Sequence, residues 1–505
     1  MQLSTRLDCD LVAVEQADEI TLLVELTAPT SDSTSPRQPA TLQVVLDRSG
    51  SMGGDRLEGA KAALIALVDR LDPTDNLGVV AFDNRVSLVV PAGPLDSKTT
   101  VKQAIAAIDP GGSTDLSSGY FRGLQEARRV AGPSGATVLL VSDGHANAGV
   151  IDADQLGGVA AEAHSQGVTT STLGFGLGYD ERLLAALARC GAGNELFAEE
   201  ADTAVALISG EVDGLLTQVA QAASLRITWT KHVAGVAVLN DLPVVGLPDG
   251  VMVELGSFYA GETRRLLLKL QVPGIAALGL AQVATLAFTH VSLPDVVQHT
   301  ATLPINVNVV PGDEAAGRVR DLEVRSEALF QQTQQAKRQS SRLLSAGQAP
   351  EAARLLQTTS SMLRHESAYL PRQMTIELMK EADLMDSLAD ESTFDSVRAA
   401  KASSYDATMK SRNRGRQSRG GGFALRWAVG GDGVDGSTLV LEAWQLQRLL
   451  RVLPADLHDA LRLPAGGVRD ESAAKAVATA LGGLHPAYGF FDGATTHGGF
   501  TVERA

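Results

Sequence analysis

Between residues 40 and 220 short apolar runs alternate with stretches of helical spacing, and no other feature of the chain narrows its fold so far. Leu42-Gln-Val-Val-Leu46 has strand character and ends at a carboxylate, Asp47. Leu57, Ala60, Leu64, Leu67, Val68 and Leu71 then fall on one face of a helix. Strands are predicted at 77–82 and 86–90, the two forming a hairpin-like pair, and a helix at 101–108. The loop Gly111-Gly-Ser-Thr-Asp115 follows, then a helix over 116–130 and a buried strand over 137–142. A helix at 153–166, a strand at 168–173, a helix at 180–190, a short strand at 195–198 and a helix at 201–220 complete the run. Alternation on this scale predicts an α/β fold with a doubly wound, mostly parallel sheet.

The flanks carry a different period. Ile20, Leu22, Val24 and Leu26 alternate as in a half-buried strand, a further strand is expected within 2–11, and 28–39 is a Pro/Ser/Thr connector. Two such strands cannot stand alone. Their partners come later, where Leu225, Ile227 and Trp229, then Leu266, Leu268, Leu270 and Val272, then Ile305, Val307 and Val309 alternate in the same way. The reading is an antiparallel β-sandwich with the α/β domain inserted into it. Two helical stripes follow: Val319, Leu322, Leu329, Thr333 and Ala336, then Leu355, Leu356, Thr359, Met362 and Leu363. Further helices are expected at 374–388 and 394–409. Gly347, Pro350 and Pro371 break the run into helical hairpins expected to pack on the sandwich. Lys410, Arg412, Arg414, Arg416 and Arg419 before Gly420-Gly-Gly422 read as a basic linker. Phe423, Leu425, Trp427 and Val429, with helical stretches at 441–453 and 473–481, suggest a small α/β module. The expected divisions are 1–39, 40–221, 222–311, 312–410, 411–422 and 423–505.

At 505 residues and 44% hydrophobic content the chain has ample core for several domains. Its net charge of −16 argues against broad nucleic-acid binding; the arginine linker is the one stretch that would favour RNA. Cys9 and Cys190 are too few for a disulfide framework. The first residues lack the basic start and apolar stretch of a signal peptide, and no run of about 20 apolar residues occurs. The expected location is cytoplasmic.

Asp47, Ser49 and Ser51 follow the first strand at alternate positions, on the rim where open α/β sheets bind ligands. Their oxygens suit a hard divalent cation. The competing reading is a turn in which Asp and Ser cap the next helix. Thr114, preceded by glycines, and Asp143, at the end of the 137–142 strand, are expected on the same rim.

Asp47-x-Ser49-x-Ser51, then Thr114, then Asp143 resembles the metal-ion-dependent adhesion site of von Willebrand factor A domains, over about residues 40–220. Gly174-Phe-Gly176 and Tyr179-Asp180 resemble bacterial members, and the flanking sandwich and helices resemble bacterial and plant proteins with such an extension. The resemblance implies Mg2+ or Mn2+ held directly by Ser49 and Ser51, and by Thr114 when the site is closed on ligand. It also implies that Asp47 and Asp143 orient hydroxyls and waters. A cation held by neutral ligands keeps its charge and favours an anionic oxygen, typically a carboxylate of a partner protein. Asp115, His145 and Asn147 lie beside these residues and are candidates for shaping partner choice.

Catalytic motifs are missing from the sequence: there is no G-x-S-x-G elbow, Walker A loop or H-E-x-x-H. Asp47 lacks the second aspartate of an aspartyl-phosphatase loop, His458 and His485 have no metal-ligand partners, and there is no RING cysteine set. Asp432-Gly-Val-Asp-Gly436 reads as a hairpin turn rather than a Ca2+ loop. The expectation is a non-enzymatic, metal-dependent interaction scaffold. The alternative is a non-catalytic subunit of an ATPase-driven chelatase or remodelling complex.

Overall fold

The computed structural model describes residues 1–30, 39–132, 134–143, 146–199 and 201–411, with strands at 423–427, 438–441, 467–468 and 500–504. Met1–Gly415 and Arg416–Ala505 are two compact units. The first unit opens with β1 (Gln2–Leu7), β2 (Leu11–Ala13) and β3 (Asp18–Thr27) and then passes into the α/β domain. There β4 (Thr41–Asp47), β5 (Asn76–Phe82), β6 (Val86–Pro94), β7 (Ala136–Ser142), β8 (Val168–Phe175) and β9 (Ala192–Ala198) form one sheet in the order β6-β5-β4-β7-β8-β9. All neighbours are parallel except β6, an edge strand antiparallel to β5. Both faces are covered by α1 (Asp55–Arg70), α2 (Lys98–Ala106), α3 (Leu116–Val130), α4 (Ala153–Ser165), α5 (Glu181–Cys190) and α6 (Ala201–Leu216).

β4 is buried along its whole length, and its largely apolar character, with Gln43 as a buried polar residue within the 42–46 run, follows from burial on both sides. Leu42, Val44 and Leu46 join Leu57 and Leu64 of α1 and Ile208 of α6 in one core. Val45 points the other way, into a core with Tyr120 of α3, Leu156 of α4 and Leu187 of α5. The chain leaves β4 toward β5 on one side and returns to β7 on the other. The carboxyl ends of β4 and β7 therefore bound the switch-point crevice.

The helix predicted to reach residue 220 ends earlier. The Thr217 hydroxyl turns back on the Asp213 carbonyl at 2.8 Å, and β10 (Gln218–Trp229) begins at once. Ala220 pairs with Phe258 on one side and Ser292 on the other. Strand pairing on both flanks overrides the helix propensity of this alanine-rich stretch. Then come β11 (Gly235–Val238), β12 (Val244–Leu247), β13 (Gly250–Tyr259), β14 (Thr263–Val272), β15 (Gly279–Ser292) and β16 (Val297–Val310). They build two sheets, β1-β3-β14-β11 and β12-β13-β10-β15-β16-β2, antiparallel except where β16 meets β2. β3 pairs with β14 along its whole length, from Asp18↔Val272 to Thr27↔Thr263. Alternating residues of both sheets, including Leu22, Val24, Leu225, Ile227, Leu268 and Val307, share one core. The α/β domain is thus inserted in an antiparallel sandwich.

Helices α7 (Gly312–Ala316), α8 (Leu322–Ser345), α9 (Ala349–Ser367), α10 (Arg372–Phe394) and α11 (Ser396–Ser411) follow. Two members of the first predicted stripe fall outside the core. Asp321 caps α8 by accepting from the Glu323 and Val324 amides, which leaves Val319 before the helix, 87% exposed, and Leu322 exposed in its first turn. The helices also touch more than the sandwich. Val324 packs on Leu23 and Leu267, but Tyr405 and Met409 of α11 pack on the α/β core. Lys401 donates to the Tyr179 carbonyl at 2.7 Å. Lys410 is not linker: it lies in α11, 2.6 Å from Glu381 and 2.8 Å from Asp406. Arg412, Arg414, Arg416 and Arg419 lie outside the described residues. In the second unit β17 (Phe423–Trp427), β18 (Thr438–Leu441), β19 (Gly467–Val468) and β20 (Phe500–Arg504) form an antiparallel sheet in the order β18-β17-β20-β19. Leu441, the expected start of a helix at 441–453, instead ends β18; the rest of that helix, the helix expected at 473–481 and the turn at 432–436 fall outside the described residues. Cys9 and Cys190 are free thiols. No helix among the described residues is long and apolar enough to cross a membrane.

Lys337 of α8 is fully buried and donates to Glu381 of α10 and Asp406 of α11. Burial works against the Glu381 charge, yet Lys337 and Lys410 hold its carboxyl far below the usual range. Removing Lys337 leaves Glu381 and Asp406 to share Lys410 alone, one uncompensated negative charge in the bundle. Lys337→Ala is expected to lower unfolding free energy by about 3–5 kcal/mol, measured by urea titration.

Candidate functional site

β4 delivers Asp47 and β7 delivers Asp143 to the same rim. Asp47 is fully buried. One of its oxygens accepts from the Ser49 amide at 2.8 Å and the other from the Ser142 hydroxyl at 2.6 Å. Burial pushes its pKa up; the Ser142 and Ser49 donors oppose this, and the nearby Asp143 charge adds to the rise. The Ser49 and Ser51 hydroxyls lie 3.1 Å apart, and Ser51 Oγ donates to Asp143 Oδ1 at 2.8 Å. The capping alternative is not what the structure shows. Gly54 precedes α1 and no side chain caps that helix.

Thr114 reaches the rim on a loop laced to its neighbours on both sides. The Gly111 amide donates to the Arg48 carbonyl at 2.6 Å and the Gly50 amide to the Gly112 carbonyl at 2.9 Å. Across the loop, the Thr114 amide donates to Asn147 Oδ1 at 3.0 Å, and the Asn147 amide returns to the Thr114 carbonyl at 3.1 Å. All five predicted residues thus lie on one rim. Asn147 braces this loop. Asp115, expected beside the site, is the N-cap of α3: it accepts from the Ser118 amide and the Ser117 and Ser118 hydroxyls. Burial opposes its ionisation, but the Ser118 and Ser117 donors more than offset this and leave its pKa lowered. His145 lies outside the described residues.

Three residues that the motif does not name complete the rim. Ser142 holds Asp47. Asp83, just beyond β5, accepts from the Gly112 amide at 3.0 Å and the Arg85 amide at 2.8 Å, and its carbonyl takes the Asp115 amide at 2.9 Å. A Cβ at Gly111 would lie 1.8 Å from Asp83 Oδ2, so this contact requires glycine. Burial disfavours the Asp83 charge, but the Gly112 and Arg85 amides and the Arg48 guanidinium outweigh it and hold the carboxyl below its usual range. The third is Arg56, in the first turn of α1, whose Nη1 lies 2.6 Å from Asp143 Oδ2 and 3.4 Å from the Ser51 carbonyl. The sequence signal for Asp83 was its place at a strand end on this rim; Arg56 carried none.

The rim offers hydroxyl and carboxylate oxygens, the donor type that Mg2+ and Mn2+ prefer. Among the described residues no group of three or more His, Cys, Asp and Glu converges to hold a metal, at this rim or elsewhere, so a cation here would rely on the hydroxyls. Ser51 spends its proton on Asp143, so Ser49 is the donor between the two hydroxyls, and a cation would relieve the two buried like charges. The residues fit the group.

A doubly wound sheet with an oxygen-lined switch-point crevice defines the class: a Rossmann-like α/β domain. Residues 42–210 match the von Willebrand factor type A domain, a type of domain that is in general a protein-interaction module. The chain is similar to the uncharacterized protein sll0103 of Synechocystis sp., 31% identical over 274 residues, covering 51% of this chain and 64% of that one. It is similar to the uncharacterized protein YfbK of Escherichia coli, 27% identical over 251 residues, 48% of this chain and 44% of that one. The match takes in about half to two thirds of these relatives' length. A solved von Willebrand factor type A structure from Catenulispora acidiphila superposes with a TM-score of 0.61 at 16% identity, over 77% of this chain and 89% of that one. That likeness is one of fold.

Asp83 stabilises the rim through its charge. With its folded-state pKa lowered, this contribution is full above about pH 4 and is lost as pH falls through the folded-state value. Asp83→Asn is expected to cost about 1–3 kcal/mol at neutral pH, the gap from wild type narrowing in acid. Urea titrations of both proteins across pH check this.

Proposed function

We propose that this protein is a non-enzymatic, metal-dependent interaction scaffold that binds a partner protein's carboxylate through a divalent cation at the rim. The observation that carries the reading is the linked set Asp47, Ser49, Ser51 and Asp143, joined by the Ser49 amide on Asp47, the Ser49–Ser51 hydroxyl contact and the Ser51 hydroxyl on Asp143, with Thr114 on a loop braced beside it. In this reading Ser49, Ser51 and Thr114 hold Mg2+ or Mn2+, while Asp47 and Asp143 orient hydroxyls and waters around it. The cation, when bound, supplies a Lewis-acidic position for an anionic oxygen. The protein's part is to keep its direct ligands neutral, so that the cation retains its charge, and to hold them rigidly. Among the described residues the partners of these side chains are a carboxylate, an amide and hydroxyls: Ser51 donates to a carboxylate and Asp47 accepts from an amide and a hydroxyl.

The test is calorimetric titration of Mg2+ and Mn2+, with and without acetate. Wild type is expected to bind, and Ser49→Ala/Ser51→Ala to lose binding while circular dichroism shows an intact fold. A wild type that stays silent under both conditions would overturn the reading.

A further inference from the structure

Arg56 has no part in the reading above, yet it reaches into the same site. Its side chain is 42% exposed while the Asp143 side chain it contacts is fully buried, so the arginine extends from the surface to a carboxylate at the crevice floor. The approach is built for. The guanidinium lies against Gly176, where a Cβ would stand 3.2 Å from its carbon and two of its nitrogens, and Gly176 has a φ of +72°, a conformation that favours glycine. The loop carrying Gly176 also passes Asp143, with a Cβ at Gly178 falling 3.1 Å from the Asp143 carbonyl. Two buried carboxylates at one rim need positive charge nearby. In this structure Arg56 supplies it.

We propose that Arg56 is the resident counter-ion of Asp143 and competes with the divalent cation for the rim. This rests on the metal-binding reading. A cation beside Ser51 and Asp143 meets the repulsion of a guanidinium hydrogen-bonded to the same carboxylate. Metal therefore binds only as Arg56 gives up Asp143, and the arginine sets the metal concentration at which the site fills. Its exposure lets it swing away without disturbing the core. The coupling is reciprocal, so metal loosens Arg56 as much as Arg56 weakens metal.

The experiment titrates Mg2+ and Mn2+ into wild type, Arg56→Ala and Arg56→Gln by calorimetry, with and without acetate, and follows thermal unfolding in chelator and in saturating Mg2+. Both variants are expected to bind metal about tenfold more tightly than wild type. They are also expected to melt lower than wild type in chelator and to gain more from Mg2+. Arg56→Gln keeps a neutral donor on a long stem, so it tests the charge if Arg56→Ala fails to fold. Wild-type binding with variants unchanged or weaker would overturn the Arg56 inference alone. Silence of all three proteins with acetate present would overturn the metal reading itself.

Discussion

Asp47 and Asp143 stand at the ends of adjacent parallel strands, both buried, and the rim is organised around that pair of charges. Parallel pairing of β4 with β7 sets the two carboxylates side by side, and the low-dielectric cores beneath them make the arrangement costly. Each carboxylate is met by a hydroxyl, Ser142 for Asp47 and Ser51 for Asp143. An amide adds to the first and a guanidinium to the second. A site that holds repelling charges together needs a stiff frame, and it gains a binding partner for positive charge in return.

The frame reaches further than the sheet. Asp83 ties the strand after α1 to the Gly111–Gly112 turn, which grips the Arg48–Gly50 turn in its own right. On the opposite side the 174–180 segment borders both Asp143 and Arg56, and α11 holds it from behind. Lys401 is nearly buried, donates to the Tyr179 carbonyl, lies 3.9 Å over the Tyr179 ring and pairs with Glu181 at 2.7 Å. The C-terminal helices are therefore part of the wall of the α/β domain, as well as a cover for the sandwich.

What was legible in the sequence is what depends on local period and spacing. The apolar run 42–46, the alternation at Ile20–Leu22–Val24–Leu26 and its later counterparts, and the oxygen side chains Asp47, Ser49, Ser51, Thr114 and Asp143 all stand where those patterns place them. Arg56 and Ser142 were not legible, because each acts across the crevice on a carboxylate far away in sequence. The Lys337 network escaped for a similar reason. A lysine on an amphipathic helix reads as a solvated residue, and only the convergence of α8, α10 and α11 turns it inward. At residues 217–220 local propensity and tertiary pairing disagreed, and pairing prevailed.

The full-length match of β3 to β14 has a consequence for how the chain comes into being. As a nascent chain emerges from the ribosome, β3 appears long before its partner, with the whole α/β domain between them. The strands and helices from β4 to α6 draw most of their contacts from their own segment and can close while β3 still waits. Folding of that domain brings its two ends together, where the Gly261 amide meets the Pro29 carbonyl and the Ala260 amide meets the Thr217 carbonyl. This shortens the effective loop that β14 must close to reach β3. The inserted domain thus acts as the scaffold on which its own host is assembled.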